Sequence, residues 1–183
     1  MKSSFWRRFC RNKGAVFGLI VLMLVALVTV LGPFIAQNNP WDMVGMPFAR
    51  PGAEQGLPLG SDTMGRDIFA GIVAGARVSL LIGVVSTVVS LLIGVSIGAV
   101  SGYFGGWVDA TLMRFTELFQ AIPSFALAIV LVAIFEPSVG SIVAAIAVVS
   151  WPPVARLVRS EFLTLRQRDF VAAAQLAGQS TPR

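Results

Sequence analysis

The sequence predicts an all-α, polytopic membrane protein that crosses the bilayer four times. Of its 183 residues, 56% are hydrophobic and only 13% are charged, and the mean hydropathy is +0.81. A soluble domain of this size would need far more polar surface. Four apolar runs, the third with charged residues near its start, have the roughly 20 residues that a helix needs to cross a hydrocarbon core of ~30 Å. Basic clusters flank the first and the last of these runs.

The first predicted span runs from Gly14 to about Ala36 and directly follows a basic segment. A cleaved signal peptide would have a shorter apolar region and a small-residue cleavage site, so this run is interpreted as a retained anchor that is also the first span. The second span is predicted between Val78 and Val100, with an uncharged tail that continues to Val108.

The third predicted span starts near Asp109 and ends near Phe135. Arg114 and Glu117 are three residues apart near its cytoplasmic end, so they can face each other and lower the cost of charge near the interface. Pro123 removes one helical hydrogen bond inside the span and predicts a kink there.

The fourth predicted span extends from Val139 to about Pro153 or Val154. Pro152 and Pro153 in tandem are expected to disrupt the regular helix near the membrane boundary, where Arg156 follows at once.

One face of the second span carries a row of glycines. Gly94, Gly98 and Gly102 recur every four residues, which puts them where another helix backbone can approach closely. The alternative is chance glycine in a helix rich in small residues, and the sequence leaves both interpretations open.

The distribution of charge predicts the orientation. Basic residues cluster at the N-terminus and again after the fourth span, as the positive-inside rule expects for cytoplasmic ends; they are Lys2, Arg7, Arg8, Arg11 and Lys13, then Arg156, Arg159, Arg166 and Arg168. Residues 37–77 hold three basic and four acidic residues, a net charge of −1. Both termini are therefore expected in the cytoplasm, with residues 37–77 outside.

The predicted outer segment is rich in proline and glycine, which argues against regular structure over most of it. We expect a loop that covers the outer mouth of the protein. Gly65 to Arg77 could form a short interfacial helix that leads into the second span.

Several classes of function find no support in the sequence. There is no histidine and only one cysteine, Cys10, so the usual zinc ligand sets and an intramolecular disulfide cannot be built. No Walker-type loop or catalytic triad is present, so neither an enzyme, a metal site nor a cofactor is expected. The basic residues flank apolar runs rather than form one surface, and nucleic-acid binding is not expected.

Hydroxyl side chains in or near the spans could contact a solute, but hydrogen bonds to their own or neighbouring helices are the favoured interpretation. They are Ser79, Ser86, Thr87, Ser90, Ser96, Ser124, Ser141 and Ser150.

The segment Ser160–Arg183 predicts a short helix outside the bilayer with a small, apolar face. Leu163, Gln167, Phe170, Ala174 and Ala177 fall at helical spacing. A helix end is predicted at Gly178, with Pro182 shortly after. Such a face suits the groove of another protein.

Five segments, in order, resemble the C-type permease of the dipeptide, oligopeptide and nickel ABC importers. They are FWRRFCRNKGAVFGLIVL (Phe5–Leu22), PLGSDTMGRDIFAGIVAGARVSLLIG (Pro58–Gly83), SGYFGGWVDATLMR (Ser101–Arg114), AIPSFALA (Ala121–Ala128) and SWPPVARLVRSEFLTLRQRDFVAAAQLAG (Ser150–Gly178). The resemblance implies the MetI-like transmembrane fold of type I importers, in a bacterial inner membrane. It also implies four partners: a homologous B-type permease, two cytoplasmic ATP-binding subunits and an extracytoplasmic solute-binding protein.

In such permeases a cytoplasmic loop with the pattern Glu-Ala-Ala-x-x-x-Gly forms the coupling helix that docks into the ATPase. Ala172 stands here where the glutamate is expected, so the carboxylate contact of that glutamate is not expected, while the small-residue face remains. The resemblance assigns ATPase docking to Arg168, Asp169, Phe170, Ala172, Ala173, Ala174 and Gly178.

The predicted organisation has five parts: a basic segment (1–13), the first span (14–36), the outer loop (37–77), a core permease domain with three spans (78–155) and the coupling segment (156–183). Family members continue into two further spans, so we expect a truncated or fragmentary permease with four of six spans. A non-transporting membrane anchor and a secondary transporter or channel are the alternative functions.

Overall fold

The computed structural model describes the backbone of residues 2–178 and every side chain in that range except those of residues 2–5, 8 and 175. The predicted position of Pro182 lies outside the described residues. The helices are α1 (Lys2–Arg11), α2 (Lys13–Ile35), α3 (Ile68–Phe104), α4 (Gly106–Ala121), α5 (Ser124–Ile134), α6 (Val139–Arg166) and α7 (Asp169–Leu176).

The predicted all-α, polytopic class is confirmed, since residues 2–178 contain helices and only isolated β-bridges. Helices α2, α3 and α6 are each long and apolar enough to cross a membrane, and α4 with α5 makes a fourth crossing if this bent pair counts as one span. The chain divides into two compact units, Met1–Leu81 and Ile82–Arg183.

Helix α2 in the first unit displays its apolar side chains outward. Its start is capped by Asn12, whose side-chain oxygen accepts a hydrogen bond from the backbone N–H of Ala15 at 3.2 Å. Gly32, near the other end, is buried. A Cβ atom on Gly32 would lie 2.7 Å from the methyl carbons of Val73, so α2 and the start of α3 approach closely there. Exposed leucines along a helix are costly in water but suit a bilayer.

The loop after α2 has little regular structure, as predicted, but it is held by a network of hydrogen bonds. The Ser61 hydroxyl donates to the carbonyl of Met46 and accepts from the backbone N–H of Ala49. Gly60 and Gly65 have φ of +80° and +78°, and a Cβ atom on either would collide with a backbone carbonyl. The loop conformation therefore requires glycine at both positions.

Helix α3 begins at Ile68 and continues without a break into the predicted second span. Asp67 immediately before it is buried, and its carboxylate accepts a hydrogen bond from the N–H of Phe69 at 2.8 Å and another from the Asn38 amide at 3.1 Å. This cap fixes the helix start. The short helix predicted over Gly65–Arg77 is thus, from Ile68 onward, the first part of α3, because no residue after Ile68 interrupts the helix.

Asp62 organises the turn before α3. Its carboxylate accepts hydrogen bonds from the N–H groups of Met64 (2.8 Å) and Arg66 (3.0 Å) and pairs with the Arg66 guanidinium at 2.8 Å. The hydrogen bond from the backbone N–H of Arg66 is the main cause that lowers the pKa of Asp62 below its usual 3.8.

The predicted third span is two helices, which is a correction to the single kinked helix expected from the sequence. Helices α4 and α5 meet at an angle of 81°. Ile122 is extended (φ −91°, ψ 130°), because the residue before a proline is driven out of the α conformation. Pro123 then occupies the N-cap position of α5, where its missing N–H costs nothing.

Helix α6 runs through Pro152 and Pro153 to Arg166, so the predicted disruption at the tandem prolines is wrong. The prolines remove two backbone hydrogen bonds, but neighbouring helices hold α6 on both sides. Trp151 is buried, with its ring centroid 6.0 Å from that of Phe115 and 5.2 Å from that of Phe119 on α4. Helix α5 also packs on α6.

Candidate coupling site

The predicted docking residues lie in and around α7, which follows α6 after a short turn. Backbone N–H groups of Val171 and Ala172 donate to the carbonyl of Arg168 at 2.9 and 3.3 Å, which places Arg168 at the start of α7. Asp169 lies in the first helical turn, where a carboxylate interacts favourably with the helix dipole. After α7, Gly178 has φ of +75°, a conformation that favours glycine.

The sequence predicted one short helix with Leu163, Phe170 and Ala177 on the same face. This prediction is wrong, because two helices cover that stretch. Helix α6 ends at Arg166, and the N–H of Gln167 bonds back to the carbonyls of Leu165 and Thr164. This tight turn ends the regular hydrogen-bond pattern. Leu163 and Phe170 therefore lie on different helices and do not share one face.

Helix α7 exposes much of its surface. The side chain of Phe170 is 65% exposed and that of Leu176 is 90% exposed, while Ala172 and Ala173 are also exposed. Among the described helices, α7 packs on α6. An eight-residue helix is marginal in water by itself, so its apolar face suits a partner that orders it.

The three glycines of α3 all lie against α6. A Cβ atom on Gly94 would come within 2.7 Å of the Cβ of Val154, and one on Gly102 within 2.5 Å of the Cβ of Phe162. Between them, a Cβ atom on Gly98 would collide with the carbonyl oxygen of Ala155. Glycine therefore lets the two backbones approach along this row.

An ion pair joins the start of α4 to α6. The Arg159 guanidinium binds Asp109 with two nitrogens, Nε to Oδ1 and Nη2 to Oδ2, the latter at 2.5 Å. The hydroxyl of Ser101 on α3, which is fully buried, donates to the same Asp109 carboxylate at 2.5 Å. Three helices thus meet at one carboxylate, and bidentate pairs of this kind are geometrically specific.

Sequence reasoning missed this ion pair and considered only that Arg114 and Glu117 could face each other. In the described part of the chain Arg114 and Glu117 do not form an ion pair, and Asp109 pairs with Arg159 instead. Residues 109 and 159 are fifty apart, so no local spacing predicts their contact. The one available signal was that both were expected at cytoplasmic ends of spans.

Hydroxyl groups within α3 are bonded to their own helix, as predicted. Ser86, Thr87, Ser90 and Ser96 each donate to the carbonyl four residues earlier, at 2.5–2.9 Å. These bonds satisfy the hydroxyls inside an apolar environment. Within residues 2–178, no group of three or more His, Cys, Asp or Glu side chains is placed to hold a metal ion.

Two family models match the chain. The N-terminal TM domain of oligopeptide transport permease C matches residues 3–51, and the binding-protein-dependent transport system inner membrane component matches residues 94–183. The second match contains the glycine row, the ion pair and α7. Together the two matches cover most of the chain.

Curated relatives align with nearly the whole chain. It is 40% identical over 179 residues to the dipeptide transport system permease protein of Haemophilus influenzae, covering 95% of this chain and 61% of the relative. It is 41% identical to the oligopeptide transport system permease protein of Escherichia coli (96% and 58%) and 36% identical to the di/tripeptide transport system permease protein of Pseudomonas aeruginosa (98% and 61%). The chain thus spans about three fifths of these relatives. It belongs to the family of binding-protein-dependent transport system inner membrane components and, within it, to the C-type permeases.

Proposed function

We propose that this chain forms part of the transmembrane pathway of an ABC importer for peptides or related small solutes, of the dipeptide, oligopeptide or nickel type. Separate ATP-binding subunits power the movement, and the chain itself acts as a permease rather than an enzyme. The observation that carries the proposal is α7, a short exposed helix that follows a membrane helix. Relatives over nearly the full chain are named dipeptide and oligopeptide transport permeases.

Helix α7 is proposed as the site that docks into an ATP-binding subunit. Its exposed Phe170 provides an apolar anchor, and its alanines allow a partner surface to approach closely. The docking residues are Arg168, Asp169, Phe170, Ala172, Ala173, Ala174 and Gly178. Ala172 supplies no carboxylate, so docking depends on shape and apolar contact at that position.

The solute pathway is proposed to depend on helix spacing and backbone dipoles rather than on charged groups. Hydroxyls of α3 already donate to carbonyls of their own helix, which leaves them only as hydrogen-bond acceptors for a solute. Weak interactions with the wall suit a pathway that must release its solute. Choice of solute is then assigned to the extracytoplasmic solute-binding protein.

The proposed complex contains a homologous B-type permease, two ATP-binding subunits and the solute-binding protein. The permease family places the chain in the inner membrane as a multi-pass protein. We propose that residues 37–77 face outward and that α1 and α7 face the cytoplasm. The basic residues before α2 and in the second half of α6 support this orientation.

The test is to produce the chain, extended by the two further spans of family members, with these partner subunits, purify the complex and reconstitute it in liposomes. The expected result for the extended chain is co-purification of the ATP-binding subunits and peptide uptake that requires both ATP and the binding protein. Co-purification without uptake would favour a membrane anchor. Uptake that needs no ATP would favour a secondary transporter, and either result would overturn the proposal.

A further inference from the structure

The second half of α6 is joined to the turn between α3 and α4 at two places. One is the ion pair between Asp109 and Arg159. The other is Arg166 at the last turn of α6, whose guanidinium Nη1 donates to the carbonyl oxygen of Tyr103 at 3.5 Å. Tyr103 is in the last turn of α3, where carbonyls have no partner within the helix.

One cation and one carboxylate each complement the helix end that they meet. The carbonyls at the end of α3 carry partial negative charge, which attracts Arg166, while the start of α4 carries partial positive charge, which stabilises the Asp109 carboxylate. Gly105, between α3 and α4, and Gly106, the first residue of α4, have φ of +65° and +53°. The turn therefore has a backbone conformation that favours glycine at two successive positions.

The tandem prolines divide α6 into two parts. The carbonyls of Val148 and Val149 lose their helical hydrogen bonds at Pro152 and Pro153, so α6 resists bending least at this level. Trp151, packed on the aromatic rings of α4, lies just before the prolines. The part after them leads directly to α7.

We propose that Asp109, Arg159, Ser101, Arg166 and the Tyr103 carbonyl form a clasp that makes α7 move together with the α3–α4 turn. Without the clasp, the second half of α6 would be held on α3 by packing alone, and part of the motion of α7 would be lost by bending at the prolines. With it, displacement of α7 reaches α3 and α4 at once. The role of this displacement in transport rests on the function proposed above; the mechanical linkage does not.

The ion pair is suited to this role because it adds α4 to a contact that packing alone makes between two helices. The backbones of α3 and α6 are already close at this level, since a Cβ atom on Gly102 would lie 2.9 Å from the carbonyl oxygen of Arg159. Arg159 and Asp109 side chains are 33% and 16% exposed, so solvent screens the pair only in part. Asp109 and Arg159 are thus positioning residues that act through α6 on α7.

The experiment measures the linkage in the chain itself, without transport. In a Cys10→Ser background, spin labels at Thr111→Cys on α4 and Leu176→Cys on α7, both exposed sites, report the distance between these helices by pulsed electron resonance. A narrow distance distribution is expected with the clasp intact. Arg159→Gln and Asp109→Asn should each broaden it, and Arg159→Lys, which keeps the charge, should restore part of the narrow distribution.

The matched control is Arg156→Gln, which removes the same charge from an exposed position on the same part of α6. It should leave the distribution narrow. Asp109→Asn also retains a side-chain acceptor for Ser101, so it reports on the ion pair even if Arg159→Gln does not fold. The clasp would be overturned if the distance distribution stayed narrow in the folded Arg159→Gln and Asp109→Asn variants. It would also be overturned if Arg156→Gln broadened the distribution equally.

A second readout separates the clasp from the transport function. In the reconstituted complex, Arg159→Gln should retain the ATP-binding subunits but reduce ATP-dependent uptake by about tenfold, a typical size for coupling between sites. Absence of uptake in the unsubstituted complex would contradict the proposed function and leave the spin-label result to decide the clasp. Normal uptake in a variant with a broadened distribution would overturn the role of the clasp in coupling.

Discussion

Gly98 of α3 lies against the backbone carbonyl of Ala155 on α6, with no room between them for even one methyl group. Ala155 is completely buried. The contact is made by backbone atoms, which cannot rotate away as a flexible side chain can. The separation of α3 and α6 is therefore set by the absence of a side chain at Gly98.

Replacing Gly98 with leucine should separate α3 from α6 and destabilise the second unit. Overpacking of a tight interface costs about 1–3 kcal/mol. The matched control is Gly83→Leu on the same helix, where nothing lies within 4 Å of the added Cβ. Both variants gain the same ~1 kcal/mol of helix propensity. The difference between their free energies of unfolding therefore measures the cost of packing leucine at Gly98.

Thermal unfolding in detergent, followed by circular dichroism, measures this difference. Gly98→Leu should unfold at a lower temperature than the unsubstituted chain, whereas Gly83→Leu should unfold at the same or a higher temperature. Equal unfolding temperatures for the two variants would show that the glycine row is not a packing surface.

Replacing Phe170 with alanine should weaken binding of the ATP-binding subunits. The side chain is 65% exposed on α7, so its loss removes an apolar anchor without opening a cavity. Truncation of such an anchor typically costs ~2 kcal/mol or more of binding. The control is Leu165→Ala near the end of α6, which is also exposed.

Co-purification of the ATP-binding subunits with each variant gives the measurement. The yield should fall for Phe170→Ala and stay unchanged for Leu165→Ala. A reversed order would move the docking surface from α7 to the end of α6.

The proposed orientation predicts opposite accessibility for two engineered cysteines. In a Cys10→Ser background, Ala53→Cys in the outer loop should react with an impermeant thiol reagent in intact cells, with the outer membrane permeabilised where one is present. Gln167→Cys before α7 should react only after the inner membrane is opened. Both positions are exposed in the folded chain, so a difference reports sidedness rather than burial. Reaction at Gln167→Cys alone would invert the topology.

The turn before α3 should depend on the ionisation of Asp62. Because its pKa is lowered in the folded chain, the charged carboxylate stabilises the turn above the unfolded pKa of 3.8, and this contribution is lost as the pH falls below that value. Carbon NMR of the carboxyl group should give a titration midpoint below 3.8.

An Asp62→Asn variant provides the corresponding test at neutral pH. It should speed hydrogen exchange at the N–H groups of Met64 and Arg66, which donate to the carboxylate. Exposed Asp42 is the matched control, and Asp42→Asn should leave both rates unchanged. In the NMR titration, a midpoint of the Asp62 carboxyl group at or above 3.8 would contradict the stabilising role of Asp62.

Much of the fold follows from local chemistry that the sequence displays. The apolar runs predict membrane helices because uncharged stretches of this length have no other stable environment, and α2 begins and ends within a residue of the predicted span. The spacing of Gly94, Gly98 and Gly102 indicates a packing face because side chains four apart lie on one side of a helix. The C-terminal motif locates α7 through its resemblance to a known coupling loop.

The effects predicted for three prolines in the spans, Pro123, Pro152 and Pro153, differ from those observed. The helices on either side of Pro123 meet at an angle of 81°, where only a kink was expected. Pro152 and Pro153, by contrast, leave α6 continuous. Proline always removes an N–H, but whether the helix stops depends on the contacts that hold its two sides. Trp151 packs on α4 and Val154 on the backbone of Gly94, so α6 is supported across its prolines.

By itself, the sequence determined the all-α class, the membrane-spanning runs and the family, because each rests on composition or on motifs that are contiguous in the chain. Only the tertiary structure decided that Gly98 contacts Ala155 and that Asp109 pairs with Arg159. Among the described residues, Arg114 and Glu117 do not form an ion pair. The contacts of Gly98 and Asp109 join residues about fifty or more positions apart. Their partners are selected by the packing of whole helices, which no local pattern encodes.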